Sequence, residues 1–365
     1  MTNRTIILVS NTAIPSTRIG SWVTRIDRLQ NTSESFRWIL SPHPTGPNHY
    51  QCVKRRFLTY HKWFRKSVLN HWVARDYLRA IKRLARTNER LTVVVMDDPH
   101  LIEAIALNRA SFNCDLKLIF SFHGFRLKLK PEVVNNIDRV LYLSEAGRIE
   151  SEKKYNPYKP QSIVVWNGVN SKDFFPLLSS EREILRNKLG VKEHEKVLLW
   201  MANDRPLKGF HIFKSIVEVI LSKYDNIHVV TIGTNNTISH PSVSNLGRLK
   251  HSDIASYLQL TDFYFFTTLY EEGFGLSMVE ALKCGAVVLA SNKGAIPSVL
   301  KDQSRTLLID RPDEVGQWLE AIEIAMNRSW GSLPKTEADK IWNYQNWESR
   351  FLSALQFNGL TESDR

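Results

Sequence analysis

Short apolar runs alternate with amphipathic stretches along this chain, and the alternation restarts after Ser179. Strand–helix repeats of this kind close parallel sheets flanked by helices, so the chain reads as α/β, folded twice over. In the first half, strands are expected at Thr5–Ser10, Phe36–Leu40, Thr92–Met96, Leu116–Phe120, Val140–Leu143 and Ser162–Val165. Helices are expected at Trp22–Leu29, Ala74–Leu84 and Leu101–Asn108. In the second half, strands fall at Val197–Met201, Ile227–Ile232, Phe263–Phe266, Val287–Ala290 and Thr306–Ile309. Helices fall there at Phe210–Lys223, Ser252–Gln259, Leu276–Lys283 and Val315–Asn327. Asn167-Gly168 and Pro176 mark the join, and Ser179 to Gly190 carries helix start and stop signals.

A length of 365 residues exceeds what one hydrophobic core usually serves, which agrees with two domains. The boundaries expected are 1–176 and 177–344, with a helix at about 345–358 packing back onto the first domain. No apolar run approaches the ~20 residues that span a bilayer. The apolar run Ile6–Val9 is too short for a secretory signal core. Cys52, Cys114 and Cys284 are scattered, giving neither a disulfide framework nor a metal cluster. The expectation is a cytoplasmic protein, peripheral at the inner face of a membrane.

The peripheral reading rests on charge. The formal net charge is +12, and twelve Lys or Arg lie between Tyr50 and Arg90 against only Asp76 and Glu89. Trp63, Phe64, Trp72, Tyr77 and Leu78 are interleaved with them. Bases with embedded aromatics suit an anionic membrane surface. The same stretch also reads as solvated helices whose aromatics are core, or as a nucleic-acid face.

Four segments carry candidate chemistry, each just after a strand, where open parallel sheets bind ligands. Ala13–Gly20 leads from the first strand into its helix, with Gly20 at the turn. Ser121-Phe122-His123-Gly124 projects a histidine able to bond a sugar hydroxyl or face developing positive charge. Asn203-Asp204-Arg205-Pro206-Leu207-Lys208-Gly209 offers a point charge for a diphosphate beside a tight turn. Glu271 to Leu282 places Glu272 and Glu280 on either side of Gly273-Phe274-Gly275 and a helix start. Glycine lets amides approach a ligand, and a helix N-terminus favours phosphate. Carboxylates on both sides accept bonds from hydroxyls. The ligand that matches is a sugar, a diphosphate and a second sugar: a nucleotide-sugar.

Together these segments resemble the retaining glycosyltransferases of the GT-B fold, glycosyltransferase family 4, over nearly the whole chain. Val164-Val165-Trp166-Asn167-Gly168-Val169, Phe175-Pro176, Leu246-Gly247-Arg248, Thr261-Asp262 and Tyr344-Gln345-Asn346-Trp347-Glu348 strengthen the likeness. Asn-Asp-x-x-x-Lys-Gly at 203–209 is similar to the matching segment of lipopolysaccharide-core glucosyltransferases. The resemblance implies two Rossmann-like domains with parallel sheets facing across a cleft. It implies that His123 contacts the donor sugar near its reacting carbon and that Glu272 holds the transferred sugar. Glu280 would bind the ribose hydroxyls, and Lys208 the diphosphate, with amides at Phe274, Gly275 and Leu276 and near Gly20. Backbone at Arg248 and Leu249 would lie near the base. Many relatives carry an arginine where Asn203 stands; Arg205, two residues on, is the candidate replacement. Many also have a glutamate at the position of Ser298.

The implied reaction is transfer of a hexose with retention, metal-independent and without a cofactor. A UDP-sugar is the favoured donor and GDP-mannose the alternative. The expected acceptor is a glycan or lipid-linked glycan in lipopolysaccharide or polysaccharide synthesis, with no nucleic-acid partner. A soluble small acceptor, a nucleic-acid-modifying role and a catalytically silent relative remain rival readings.

Overall fold

In the computed structural model, residues 4–14, 21–32, 35–43, 48–55 and 71–357 are described. The chain divides into two compact units, Met1–Trp166 with Glu348–Arg365, and Asn167–Trp347.

The first unit holds a seven-stranded parallel sheet in the order β3-β2-β1-β4-β5-β6-β7. Its strands are β1 Thr5–Val9, β2 Trp38–Ser41, β3 His49–Gln51, β4 Arg90–Met96, β5 Asp115–Ser121, β6 Arg139–Tyr142 and β7 Gln161–Val164. β4 is buried from Leu91 to Met96 without alternation, as a central strand covered on both faces requires. The helix Arg75–Ala85 packs Tyr77, Leu78, Ala80, Ile81, Leu84 and Ala85 into that core. Its bases Arg79, Lys82, Arg83 and Arg86 face solvent. Two of the aromatic and apolar residues interleaved with the basic run, Tyr77 and Leu78, are therefore core. Trp63 and Phe64 lie outside the described residues, as do bases 56, 62, 65 and 66.

The second unit holds six parallel strands in the order β10-β9-β8-β11-β12-β13. They are β8 Lys196–Met201, β9 Ile227–Ile232, β10 Val243–Asn245, β11 Phe263–Phe266, β12 Val287–Ser291 and β13 Thr306–Ile309. Trp200, Phe213, Phe265 and Trp318 form the aromatic centre of its core. At the amino ends of these strands, Asp262 accepts the Val197 N–H at 2.8 Å and pairs with Arg182 at 3.0 Å and Arg186 at 3.3 Å.

In both sheets the strand order reverses beside a central strand, between β1 and β4 and between β8 and β11. Crevices open at the carboxyl ends of such strand pairs, because the crossovers leave to opposite sides. The helix Tyr344–Leu355 begins in the second unit and ends in the first. There Arg139 donates to the carbonyls of Ala354 and Gln356 (2.7 Å to the latter) and to Gln161 Oε1 at 2.6 Å. The Phe357 ring covers the guanidinium at 4.1 Å.

Candidate active site

The loops after β8 and β11 meet at the reversal point of the second sheet. Lys208 ends a short 3-10 turn, Pro206–Lys208, and Gly209 follows with φ +77°. A Cβ at Gly209 would sit 1.9 Å from the Thr267 carbonyl oxygen, so only glycine allows this approach. The Thr267 hydroxyl donates at 2.9 Å to the Gly209 carbonyl and itself accepts the buried Trp200 indole N–H at 2.9 Å. The core thereby fixes the lysine loop.

Lys208 Nζ lies 2.5 Å from Glu272 Oε1. The Thr268 hydroxyl donates to the same carboxylate oxygen at 3.1 Å. Glu272 is also held through its backbone. Its carbonyl accepts the Ala295 N–H at 2.9 Å, and Gly294, at φ +58°, packs where a Cβ would fall 2.6 Å from the Glu272 nitrogen.

Two residues on, Phe274 is buried, and Gly275 at φ +85° caps the helix Leu276–Lys283 without any side-chain bond. The Met278 N–H bonds the Gly275 carbonyl at 3.2 Å, and the Leu276 and Ser277 amides ahead of it stand at the positive end of the helix dipole. Leu276, Ser277 and Glu280 are half-buried on one side of the helix, while Met278, Val279, Ala281, Leu282 and Lys283 face the core. Below them Tyr264 is fully buried; burial raises its phenol pKa, and the charges of Glu280 and Glu272 raise it further. Both carboxylates therefore act on one spot.

The remaining candidates of this unit occupy the same carboxyl edge. Asn203 Oδ1 accepts the Arg205 N–H at 3.2 Å, which shapes the turn and leaves the Arg205 side chain exposed. Asp204 binds the loop after β9 through the Thr234 hydroxyl at 2.6 Å and the Asn235 N–H at 2.8 Å. Those bonds, led by Thr234, lower its pKa, and the charge of Arg248 lowers it as well. Arg248 is exposed and Leu249 half-buried, just beyond Gly247, whose carbonyl accepts the Gly233 N–H at 2.6 Å.

His123 belongs to the first unit, after β5. Its backbone N–H donates to Asp97 Oδ1 at 3.0 Å, its Nε2 lies 3.0 Å from Ser121 Oγ, and Trp22 meets it edge-on at 5.8 Å. Burial, with the charge of Arg25, pushes the imidazole pKa down to about 3, so the ring is neutral at neutral pH. Asp98 caps the helix Pro99–Leu107 and takes Lys54 Nζ at 2.6 Å. Gly20 lies outside the described residues.

Sequence reasoning missed Tyr264, Thr267, Thr268 and Gly294. The two threonines follow a plain strand and carry no motif. Gly294, three residues past β12, carries the same kind of signal as Gly209 after β8: a glycine in the loop that follows a strand.

Residues 181–343 match the family model for glycosyl transferases group 1. The chain is also similar over 97% of its length to a sucrose-phosphate synthase from Thermosynechococcus elongatus, at TM-score 0.70 and 15% identity, covering 95% of that chain. The Anabaena protein HepE, solved in complex with UDP-glucose, gives TM-score 0.72 at 15% identity over 97% of this chain and 99% of its own. The two units share the GT-B fold of these solved structures, and the match to the group 1 glycosyl transferase model falls within the second unit. Among curated relatives, the phosphatidyl-myo-inositol mannosyltransferase of Propionibacterium freudenreichii is 30% identical over 49% of this chain. The D-inositol 3-phosphate glycosyltransferase of Corynebacterium kroppenstedtii is 26% identical over 53%. The chain spans 44% and 47% of the length of those two relatives.

Proposed function

We propose that this chain transfers a hexose from a nucleoside-diphosphate sugar to an acceptor hydroxyl, with retention at the anomeric carbon. The observation that carries the reading is Lys208 paired with Glu272 beside the uncapped helix that bears Glu280. A ligand diphosphate has Lys208 and the helix amides to neutralise it, and its two sugars have one carboxylate each.

As the bond to the diphosphate breaks, negative charge grows on the leaving oxygens. Lys208, Arg205 and the amides at Phe274, Gly275 and Leu276 stabilise it, with no metal required. The departing phosphate takes the acceptor's proton on the same face of the sugar. Glu272 orients the sugar instead of attacking it, and neutral His123 bonds a donor-sugar hydroxyl. Glu280 takes the ribose hydroxyls, and backbone at Arg248 and Leu249 lies by the base. UDP-sugars are the favoured donors, in keeping with the UDP-glucose complex of HepE. GDP-mannose is the alternative, in keeping with the mannosyltransferase relative.

The acceptor proposed is an anionic, membrane-associated glycan or lipid-linked glycan. Trp72 is 49% exposed and flanked by the guanidiniums of Arg55 at 5.0 Å and Arg75 at 5.5 Å. An exposed aromatic between cations fits a headgroup layer. One relative is named for phosphatidyl-myo-inositol and another for D-inositol 3-phosphate, both of which are likewise anionic.

A thermal-shift panel of UDP, GDP, UDP-glucose and GDP-mannose tests the donor site, because binding raises Tm by mass action. Anomeric NMR of the product then reports retention or inversion. No shift with any nucleotide overturns the reading. Flotation with anionic and neutral liposomes tests the membrane part, and binding indifferent to lipid charge and salt defeats it.

A further inference from the structure

Lys283, at the end of the Glu280 helix, is fully buried, and no step of the proposed reaction uses it. Its ammonium donates to three main-chain carbonyls: Ala338 at 2.7 Å, Ile341 at 3.0 Å and Asp339 at 3.3 Å. These carbonyls close the helix Lys335–Lys340. A cation is the group that satisfies a helix C-terminus, and three donors meet three acceptors.

The next residue in that segment is Trp342, a non-glycine at φ +41°. Its indole N–H donates to the Val299 carbonyl at 3.1 Å, and its ring meets Phe274 edge-on at 5.2 Å. Its own carbonyl accepts the Val169 N–H at 2.8 Å, and Asn343 bridges Val169. Gly168 packs so tightly here that a Cβ would meet Trp347 Cβ and Tyr344 Cα, both at 2.7 Å.

The chain passes between its two units just before Asn167 and just after Trp347. Both passages are thus bonded into one joint. That joint is fixed to the Gly-Phe-Gly loop at Phe274 and to the Glu280 helix at Lys283.

We infer that Lys283 is a positioning residue that locks the Glu280 helix to the paired chain crossings, so that nucleotide binding at the helix is felt at Asn167–Val169 and Ile341–Trp347. This rests on the proposed nucleotide site, and it adds a mechanical link that the site alone does not require. A buried lysine holding only its own helix would give no such connection. Here every acceptor lies 55 or more residues away in sequence, in the segment that leads out of the unit.

Amide hydrogen exchange on the full chain, with and without UDP or GDP, tests the link, with calorimetry to verify binding. In the wild-type chain, nucleotide is expected to slow exchange at 167–169 and 341–347 at least several-fold. In Lys283→Met, nucleotide binding weakens several-fold and the slowing at the joint disappears; Lys283→Arg, which keeps charge and donors, restores it in part. Wild-type binding with no change of exchange at the joint overturns the inference while leaving the donor site intact. The wild-type comparison decides the matter even if Lys283→Met does not fold. Absence of any nucleotide binding instead removes the proposed function, and this inference with it.

Discussion

Lys208 and Glu272, 64 residues apart in sequence, hold each other at 2.5 Å, so the cation proposed for the diphosphate already has a carboxylate partner. Neither is exposed: the side chains retain 20% and 13% of their accessible surface. A diphosphate must therefore compete with Glu272 for the ammonium, and freeing the lysine changes binding and turnover in opposite directions.

Glu272→Gln is expected to bind UDP or GDP as tightly as wild type or more so, and to lose most sugar transfer. Lys208→Ala is expected to lose about 1.5–3 kcal/mol of nucleotide affinity, roughly 10- to 150-fold, as charge-assisted bonds do. Calorimetry and a transfer assay on the same preparations separate the two. Equal loss of binding in both variants contradicts this division of roles.

The loop glycines make an internal control. Gly209→Ala is expected to destabilise the chain by about 3–4 kcal/mol, because its Cβ meets the Thr267 carbonyl at 1.9 Å. Gly190 has nearly the same φ, +76°, with nothing within 4 Å, so Gly190→Ala carries only the backbone cost of about 1 kcal/mol. Denaturant midpoints of the two variants measure the difference. Similar midpoints would show that the approach to Thr267 relaxes freely.

His123 gives a pH signature. Its folded pKa of about 3 lies below the ordinary value of 6.5, chiefly through burial and then through Arg25. Between these limits the unfolded chain binds more protons, so stability falls as pH drops from 6.5 towards 3. Around the ring stand Ser121 Oγ, Trp22 and the Arg25 charge, with the Asp97 carboxylate on its backbone N–H. His123→Asn is expected to flatten the curve by up to one proton's slope, read as Tm against pH. Parallel wild-type and variant curves would remove the effect.

Arg139 ties down the end of the helix Tyr344–Leu355. Arg139→Met leaves the Ala354 and Gln356 carbonyls without their donor and is expected to cost about 2–4 kcal/mol. Limited proteolysis should then cut beyond residue 347 first. Cleavage elsewhere, with that helix intact, would show that its packing suffices without the arginine.

Much of this was readable in advance because parallel strands buried on both faces are continuous apolar runs. Val93–Val95 and Val287–Ala290 identify themselves by composition. Expected strand ends differ from the observed ones by one or two residues in most cases. The helix Glu145–Glu152 was not legible: its sequence EAGRIESE is polar, and it forms under a Ser144 cap bonding the Gly147 N–H at 3.1 Å. β3 and β10 have three residues each, too few to show a period. In the candidate site, Lys208, Glu272 and Glu280 stood out because glycines flank them. Thr267 did not, since it bonds Gly209 across 58 residues that only folding brings together, and Thr268, four residues before Glu272, sits in no motif.

Asp262 gathers Val197, Arg182 and Arg186 at the amino ends of the strands, far along β8 and β11 from the loops that hold Lys208 and Glu272. The bonds that anchor the sheet and the groups proposed to meet the donor thus occupy opposite rims of the same strands. Loops 233–236 and 246–249 can consequently drift, or be grafted from a relative with another nucleotide preference, while the rim that Asp262 organises goes on specifying the scaffold.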